Sequence, residues 1–173
     1  EETNYATSAQ VSATSQLGDY DISRVIDGIT SQSAGGSKTA ITSFDSMGYG
    51  YYELTFSEAN TINFLKLYFN QVEAKQRPRD IAIDVKRKDG VYIRVAEMHN
   101  IDYAIKSNGN GEINQLDFIF EEIECVSVRI TGNRQRTRDI NNEQTANYNF
   151  RLMEIELFNR SNITEDDYTG TTA

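Results

Sequence analysis

The stretch DIAIDVKRKDGVYIRV, residues 80–95, decides the fold class, because apolar and polar residues alternate on both sides of a single turn. Alternate positions are apolar in each half: Ile81, Ile83 and Val85, then Val91, Ile93 and Val95. A period of two is typical of strands with one buried face, whereas an amphipathic helix repeats every about 3.6 residues. The Asp89-Gly90 pair between the halves favours a tight turn. The stretch therefore predicts an antiparallel β-hairpin.

The same alternation recurs in five other segments of the chain. They are centred on Tyr52–Phe56, Leu65–Phe69, Leu116–Phe120, Val126–Ile130 and Met153–Leu157. Strands with one wet face each pair into antiparallel sheets that bury their apolar faces against one another. At 173 residues the chain has the length of one such domain. We therefore expect an all-β protein, an antiparallel β-sandwich of about eight strands.

The connections between these segments differ in length in a regular way. The short ones lie near Ser57–Asn60, Arg87–Gly90 and Glu121–Glu124, and the long polar ones near Ile29–Gly48, Gln71–Pro78, His99–Glu112 and Gly132–Tyr148. If each strand reverses direction, short and long connections alternate between the two ends of the sandwich. We therefore expect the long connections at one end, where sandwich domains usually carry recognition.

The charge of the chain argues against two kinds of partner. Its 26 acidic and 17 basic residues give a net charge of −9, whereas nucleic-acid-binding domains carry a basic footprint. The same charge opposes simple adhesion to anionic lipid headgroups. No apolar run approaches the length of a membrane span. We expect no nucleic-acid partner and no transmembrane segment.

The reactive residue types favour a protein without catalytic activity. The single cysteine, Cys125, lies in an apolar strand-like run, which predicts a buried and inert thiol. The single histidine, His99, cannot build a three-histidine zinc site and displays no triad partners. We interpret it as an ordinary residue at a strand end. No acid pair stands out as a glycosidase pair, so we expect no enzyme.

Five segments carry motifs in a recognisable order: Asn4–Ala13, Val25–Gly28, Tyr51–Phe56, Arg77–Tyr92 and Phe150–Leu157. They resemble the opening strand, the Asp-Gly turn of the metal loop, the first core strand, the hairpin preceded by Pro and the closing strand of the discoidin (coagulation-factor type C) modules. The family 32 carbohydrate-binding modules are part of that family. The resemblance covers residues 4–158, which implies a domain over 1–158 and a polar linker or tail over 159–173.

The resemblance implies a galactose-binding-like jelly-roll with a structural calcium ion. The implied ligands are the Asp27 side chain, the carbonyls of Arg24, Ile29 and Met153, and the Glu154 carboxylate. Taken by themselves, Asp27-Gly28 also fits a simple turn, and Glu154 fits an exposed strand residue or a partner of Arg24. After this turn the family usually has Thr and then Trp, whereas this chain continues with Thr30–Ser37 and contains no Trp.

The long connections hold residue types that bind sugars. Planar polar side chains make paired hydrogen bonds to hydroxyls, and an aromatic ring packs under the sugar. The candidate ligand-binding residues are Arg77, Arg79, Arg134, Arg136, Arg138, Asn142 and Tyr148. Candidates for stacking are Phe44, Tyr49, Tyr103 and Tyr148, whereas Tyr52 and Tyr92 are expected to pack within strands. The arginines favour an acidic sugar, and the alternative is a solvated charged loop.

The hypothesis from the sequence is a non-catalytic carbohydrate-binding module that binds a glycan or glycoconjugate. We expect it to be a monomeric part of a larger secreted or cell-surface protein, with a periplasmic location also open. The chief alternative is a protein–protein or adhesion module, because the fold does not dictate the ligand. Phospholipid binding ranks below both, because the loops are polar.

Overall fold

Eight strands are present in the computed structural model, which describes residues 2–31, 38–71, 74–133 and 149–170. Their bounds are β1 Gln10–Ala13, β2 Ala40–Ser43, β3 Tyr49–Tyr68, β4 Asp80–Lys86, β5 Tyr92–Met98, β6 Gln115–Asn133, β7 Asn149–Leu152 and β8 Glu154–Phe158. In these ranges, short 3-10 helices lie at Ile22–Ile26, Ala74–Gln76 and Glu165–Asp167. No helix of the described chain is long and apolar enough to cross a membrane.

The two long strands, β3 and β6, form an antiparallel ribbon with which β1, β4 and β8 also pair. Two register shifts within residues 55–64 of β3 divide the ribbon into halves. The first half of β3 pairs with β1 and the second half with β8, while the end of β6 pairs with β4 and β4 with β5. Strands β2 and β7 pair separately. This arrangement confirms the predicted all-β antiparallel sandwich.

The core consists of the alternate residues that the sequence pattern indicates. The buried ones include Tyr52, Leu54, Phe56, Leu65, Leu67, Phe69, Ile81, Ile83, Val85, Leu116, Phe118, Phe120, Val128, Ile130, Met153, Ile155 and Leu157. Burial of such side chains is the main favourable contribution to folding. The Tyr52 hydroxyl donates to Phe150 O at 2.5 Å and accepts from Thr42 N at 3.1 Å, so its polar atom is satisfied inside the core.

The Cys125 thiol is buried, as the sequence predicts. Burial raises the pKa of this thiol to about 12, and the neighbouring Glu124 adds to the effect. A thiol with such a pKa is protonated at neutral pH, and the thiolate is the nucleophilic form. Cys125 is therefore an inert core residue.

The hairpin of β4 and β5 departs from strict alternation at one bulge. Strand β5 begins at Tyr92, which leaves Val91 45% exposed. A register shift after Ile83 then buries both Val95 and Ala96. A bulge adds one residue to a strand and so exchanges the faces of the residues beyond it. The residues after Ala96 therefore have the opposite orientation from the one that uninterrupted alternation would give.

Two of the long connections meet at one end of the sandwich, which we call the long-loop end. Phe69, just beyond β3, packs edge-on against Tyr103 with the ring centroids 5.5 Å apart. The Tyr103 hydroxyl donates to Pro78 O at 2.6 Å. Pro78 lies against Gly132 so closely that an added Cβ there would come within 2.8 Å of the proline side chain. The connections that contain Pro78 and Tyr103 thus meet the end of β6.

The C-terminal segment, residues 159–170, lies against the sandwich. Arg160 and Asn63 exchange hydrogen bonds of 2.7 and 2.8 Å. Further along, Thr169 N donates to Ile119 O at 2.8 Å. Gly170 O then accepts the Glu97 N–H at 2.6 Å. The segment thereby joins β6 to the edge of β5, and within its described part it is an ordered strap across the two strands.

Candidate functional site

A cleft of about 310 Å³ opens on the outer face of the sheet, at its long-loop end. The strand registers align Tyr51, Thr131, Ala82 and Glu97 in one row across β3, β6, β4 and β5. Thr131 and Ala82 have short side chains, so the protein surface is recessed at the middle of this row. Because neighbouring strands lie roughly 4.8 Å apart, a short floor two strands wide leaves room between the flanking strands. This floor is the base of the cleft.

Tyr49 forms the wall of the cleft on the β3 side. Its side chain is 40% exposed. The preceding turn fixes its position, because Asp45 Oδ1 accepts the Tyr49 N–H at 3.1 Å and Asp45 N donates to Tyr49 O at 2.7 Å. Among the described candidates for stacking, Phe44 packs against Phe150 and is 8% exposed, and Tyr103 is 5% exposed. Tyr49 is therefore the described candidate whose ring reaches solvent.

The opposite wall is a chain of ion pairs on β4 and β5. Glu97 Oε1 lies 2.9 Å from His99 Nε2, and Glu97 Oε2 lies 3.1 Å from Arg94 Nη1. Arg94 Nε also binds Asp84 Oδ1 at 2.7 Å. His99 Nδ1 lies 3.7 Å from Asp80 Oδ1. The hydrogen bond to Glu97, with the charge of Asp80 acting in the same direction, raises the pKa of His99 above its usual value.

The bulge in β5 places this wall in the cleft. It directs Glu97 and His99 to the outer face, whereas the strict alternation that begins at Ile93 would have pointed both inward. Sequence analysis therefore missed both residues. An aromatic ring opposite planar carboxylate, guanidinium and imidazole groups is an arrangement that can hold a hydroxylated ligand.

Arg77, predicted as a ligand-binding residue, does not line the cleft. It is 4% exposed. Its guanidinium donates to Ile113 O at 2.5 Å, Asn70 O at 2.6 Å and Asn114 Oδ1 at 2.9 Å. The rings of Phe69 and Tyr103 lie 4.8 and 5.1 Å from Arg77 Cζ. A cation enclosed in this way holds the loops together rather than meeting a ligand.

The remaining predicted ligand-binding residues have different positions. Arg79 is half-buried, and its Nε donates to Asn100 Oδ1 at 3.3 Å beside the cleft. Five others lie outside the described residues: Arg134, Arg136, Arg138, Asn142 and Tyr148.

Tyr92, expected to pack within a strand, is 38% exposed on the outer face, where its ring lies 4.7 Å from Arg129 Cζ.

The predicted metal-binding residues come together at the start of β8. Glu154 is 2% exposed, and its Oε2 accepts the Gly28 N–H at 2.9 Å. Its Oε1 is buried and has no hydrogen-bond partner among the described residues. Asp27 Oδ1 accepts the Ile29 N–H at 3.0 Å in the same turn. Arg24 directs its Nη1 to Thr39 O at 3.1 Å.

These residues fit a calcium ion. Burial raises the pKa of Glu154 to about 9, and the carboxylate of Asp27 adds to the effect. Two carboxylates in one partly buried place, one with an oxygen that lacks a partner, favour a proton or a cation between them. No group of three or more His, Cys, Asp or Glu side chains that could hold a metal occurs in the described chain. Backbone carbonyls would therefore supply the other ligands, as calcium allows.

Solved structures of other proteins share this architecture. No family model matches the sequence, and no curated protein matches it. Chitosan-binding module 1, from a chitosanase/glucanase of Paenibacillus sp. IK-5, has a TM-score of 0.63 at 17% identity, over 90% of this chain and 98% of that one. A fucose-binding module of Streptococcus pneumoniae has a TM-score of 0.66 at 16% identity, over 92% and 96%.

The CBM32 of AlyQ, in complex with 4,5-unsaturated mannuronic acid, has a TM-score of 0.59 at 16% identity, over 87% of this chain and 95% of that one. The covered shares show that the similarity extends over nearly the whole sandwich in each case. The fold predicted from the sequence resemblance is therefore confirmed. The chain has the galactose-binding-like β-sandwich fold of carbohydrate-binding modules of the CBM32 type.

Proposed function

We propose that this protein is a non-catalytic carbohydrate-binding module whose ligand binds in the cleft at the long-loop end. The observation that carries the proposal is the pairing of an exposed ring, Tyr49, with the charged side chains of Glu97 and Arg94 across a floor of small residues. A sugar has an apolar C–H face and a rim of hydroxyls. The two walls of the cleft offer groups that complement each of these surfaces.

The charges around the cleft favour a neutral sugar. Asp80 and Glu97 are acidic, and Arg94 and His99 are basic, so the described lining carries little net charge when His99 is protonated and becomes negative when it is not. At the described lining residues, an anionic ligand would meet these carboxylates without an excess of cations. This differs from the acidic sugar that the arginines of the sequence favoured, since three of those arginines lie outside the described residues.

Similar structures support carbohydrate as the ligand class, because their names include chitosan, fucose and an unsaturated mannuronic acid. They differ too much among themselves to single out one sugar. The cleft is shallow and buries little of a small ligand, so the affinity for a single site should be low. A secreted or cell-surface protein with a glycan or glycoconjugate partner is the setting that we infer from this function.

A calcium ion bound by Asp27 and Glu154, with carbonyls of Arg24, Ile29 and Met153, forms the second part of the proposal. Its role would be structural. It would supply the missing partner of Glu154 Oε1 and fix the Asp27-Gly28 turn against β8. The cleft and this turn lie on different strands, so the two sites can be tested separately.

The test is glycan-array screening followed by calorimetric titration of the sugars that bind. Tyr49→Ala should abolish binding, because it removes the ring from one wall. Tyr92→Ala is the matched control, since Tyr92 has nearly the same exposure, 38% against 40%, and lies outside the cleft. Sugar binding that Tyr49→Ala leaves intact would contradict the assigned site. No sugar binding at all would contradict the function and favour a protein partner.

A further inference from the structure

His99 occupies a special place in the cleft, between two carboxylates. Its Nε2 lies 2.9 Å from Glu97 Oε1 and its Nδ1 lies 3.7 Å from Asp80 Oδ1. Among the described residues, the charged groups that line this part of the cleft with His99 are Asp80 from β4 and Glu97 and Arg94 from β5. The described lining residues from β3 and β6 are uncharged: Tyr49, Thr131 and Asn133.

The two basic residues of the described lining, Arg94 and His99, differ in whether their charge depends on pH. Arg94 binds Asp84 and the Oε2 atom of Glu97, and its guanidinium keeps its charge at every physiological pH. His99 binds the Oε1 atom of the same Glu97 and changes its charge between about pH 5 and 8. One oxygen of Glu97 is thus bound by a permanent cation and the other by a removable one.

We propose that glycan binding in the cleft is coupled to the loss of a proton from His99. The inference rests on the proposed function and concerns the same site. With His99 protonated, the imidazolium compensates both Glu97 and Asp80, and sugar hydroxyls must compete with it for these oxygens. With His99 neutral, the carboxylates accept charge-assisted hydrogen bonds from the hydroxyls more strongly. The ligand class is a neutral sugar that donates hydroxyl hydrogens to Glu97.

The direction of the coupling follows from linkage. Since the neutral form of His99 binds the sugar better, saturation with sugar must lower the pKa of His99, and the affinity must rise with pH through that pKa. The pKa of free His99 lies above its usual value because of the hydrogen bond to Glu97. The change in affinity is therefore expected within the physiological range. We expect binding about fivefold or more weaker at about pH 5.5 than at about pH 8.

The experiment uses the full chain and three neutral probes: methyl galactoside, fucose and N-acetylglucosamine. None of them ionises between about pH 5 and 8, so any pH dependence belongs to the protein. His99 is the single histidine. Its imidazole C–H signals in proton NMR therefore report its pKa without assignment, with and without saturating sugar. His99→Gln, at a half-exposed position that should tolerate the change, removes the titration and keeps a polar side chain.

The expected result is a lower pKa of His99 in the presence of the sugar that binds, and an affinity that rises with pH in the wild type and is flat in His99→Gln. Sugar binding with no change in the pKa of His99 would overturn the proposed coupling and leave the function standing. A pH dependence that persists in His99→Gln would assign the proton elsewhere and also overturn it. Absence of binding by every probe at every pH would overturn the function itself, and this inference with it.

Discussion

The backbone N–H of Gly28 donates to the buried carboxylate of Glu154 at 2.9 Å, across 126 positions of sequence. This bond uses Oε2 and leaves Oε1 buried without a partner among the described residues. The turn after Asp27 is thereby attached to the start of β8. A calcium ion at this place would bind the native state and not the unfolded chain.

Calcium is therefore expected to raise the thermal midpoint of the wild type. The gain in the free energy of unfolding should be about 2.7 kcal/mol when calcium is at about 100 times its dissociation constant. Glu154→Gln should abolish this gain and, in chelator, leave the protein as stable as the wild type or more so, because the buried carboxyl must take up a proton on folding at neutral pH whereas the amide is already neutral. Glu156→Gln, on the same strand, is the control and should keep the calcium shift. A wild type that does not respond to calcium would contradict the metal site.

Glu53 is predicted to stabilise the outer face of the sheet. It accepts hydrogen bonds from Tyr92 at 2.8 Å, Ser127 at 3.0 Å and Arg129 at 2.5 Å. Glu53→Gln should lower the free energy of unfolding at neutral pH by about 2 kcal/mol, because hydrogen bonds to a charged group contribute that much. Urea denaturation measures the loss. The exposed Glu121→Gln is the control and should change stability by less than about 0.5 kcal/mol.

The effect of Glu53→Gln should depend on pH in a defined direction. Burial alone would raise the pKa of Glu53, but the hydrogen bonds from Arg129, Tyr92 and Ser127 outweigh it and lower the pKa below its ordinary value. A group with a lowered pKa stabilises the fold above its unfolded-state pKa and loses that contribution as the pH falls through the folded-state pKa. The difference between wild type and variant should therefore shrink below about pH 4. A difference that stays constant down to about pH 3 would contradict this account.

Arg77 is predicted to matter for stability and not for ligand contact. Arg77→Lys should lower the free energy of unfolding by about 2 kcal/mol or more, since an ammonium cannot reproduce three hydrogen bonds in a planar fork. The sugar affinity of the folded variant should equal that of the wild type at a temperature well below its unfolding. Arg79→Lys, at a half-buried neighbouring position, should change stability far less. A loss of affinity in Arg77→Lys without a loss of stability would restore Arg77 as a ligand-binding residue.

The C-terminal strap is predicted to protect two particular amides. Removal of the chain after Asn162 deletes Gly170 O, the acceptor for Glu97 N, and Thr169 Oγ1, the acceptor for Ile119 N at 2.9 Å. Hydrogen exchange at these two amides should become faster in the truncated protein. The thermal midpoint should fall by a few degrees, which corresponds to a loss of about 1 kcal/mol in the free energy of unfolding. The Ile83 amide in the middle of the sheet serves as the internal reference. Unchanged exchange at Glu97 and Ile119 would contradict the strap.

The core could be predicted from the sequence because it follows local alternation. Residues such as Leu54 and Ile83 are buried because each lies on the apolar face of its own strand, and that pattern needs no knowledge of neighbouring strands. The resemblance of short motifs then identified the fold. For the connections that contain Pro78 and Tyr103, the shared end was also predictable, since it depends only on the order of long and short connections.

The cleft could not be predicted, because it depends on relations between strands. Thr131 and Ala82 form a floor only once the register aligns them. Glu97 and His99 face outward only because a bulge reverses their orientation, and alternation alone gives the wrong face. The enclosure of Arg77 could not be predicted for a similar reason. An arginine in a polar loop resembles a ligand-binding residue until the aromatic rings that enclose it, distant in sequence, are known.

The strap also determines how the protein should be attached to a solid support. Gly170 lies beside Glu97 in the wall of the cleft, whereas Glu2 pairs with Arg160, which bonds Asn63 at the register shifts of β3, away from the long-loop end. A biotin or an affinity tag added directly after Gly170 would therefore be attached next to the cleft. A tag joined before Glu2 would leave the cleft facing the solution. For a biosensor or an array built with this protein, capture through the N-terminus is the orientation that keeps the cleft accessible.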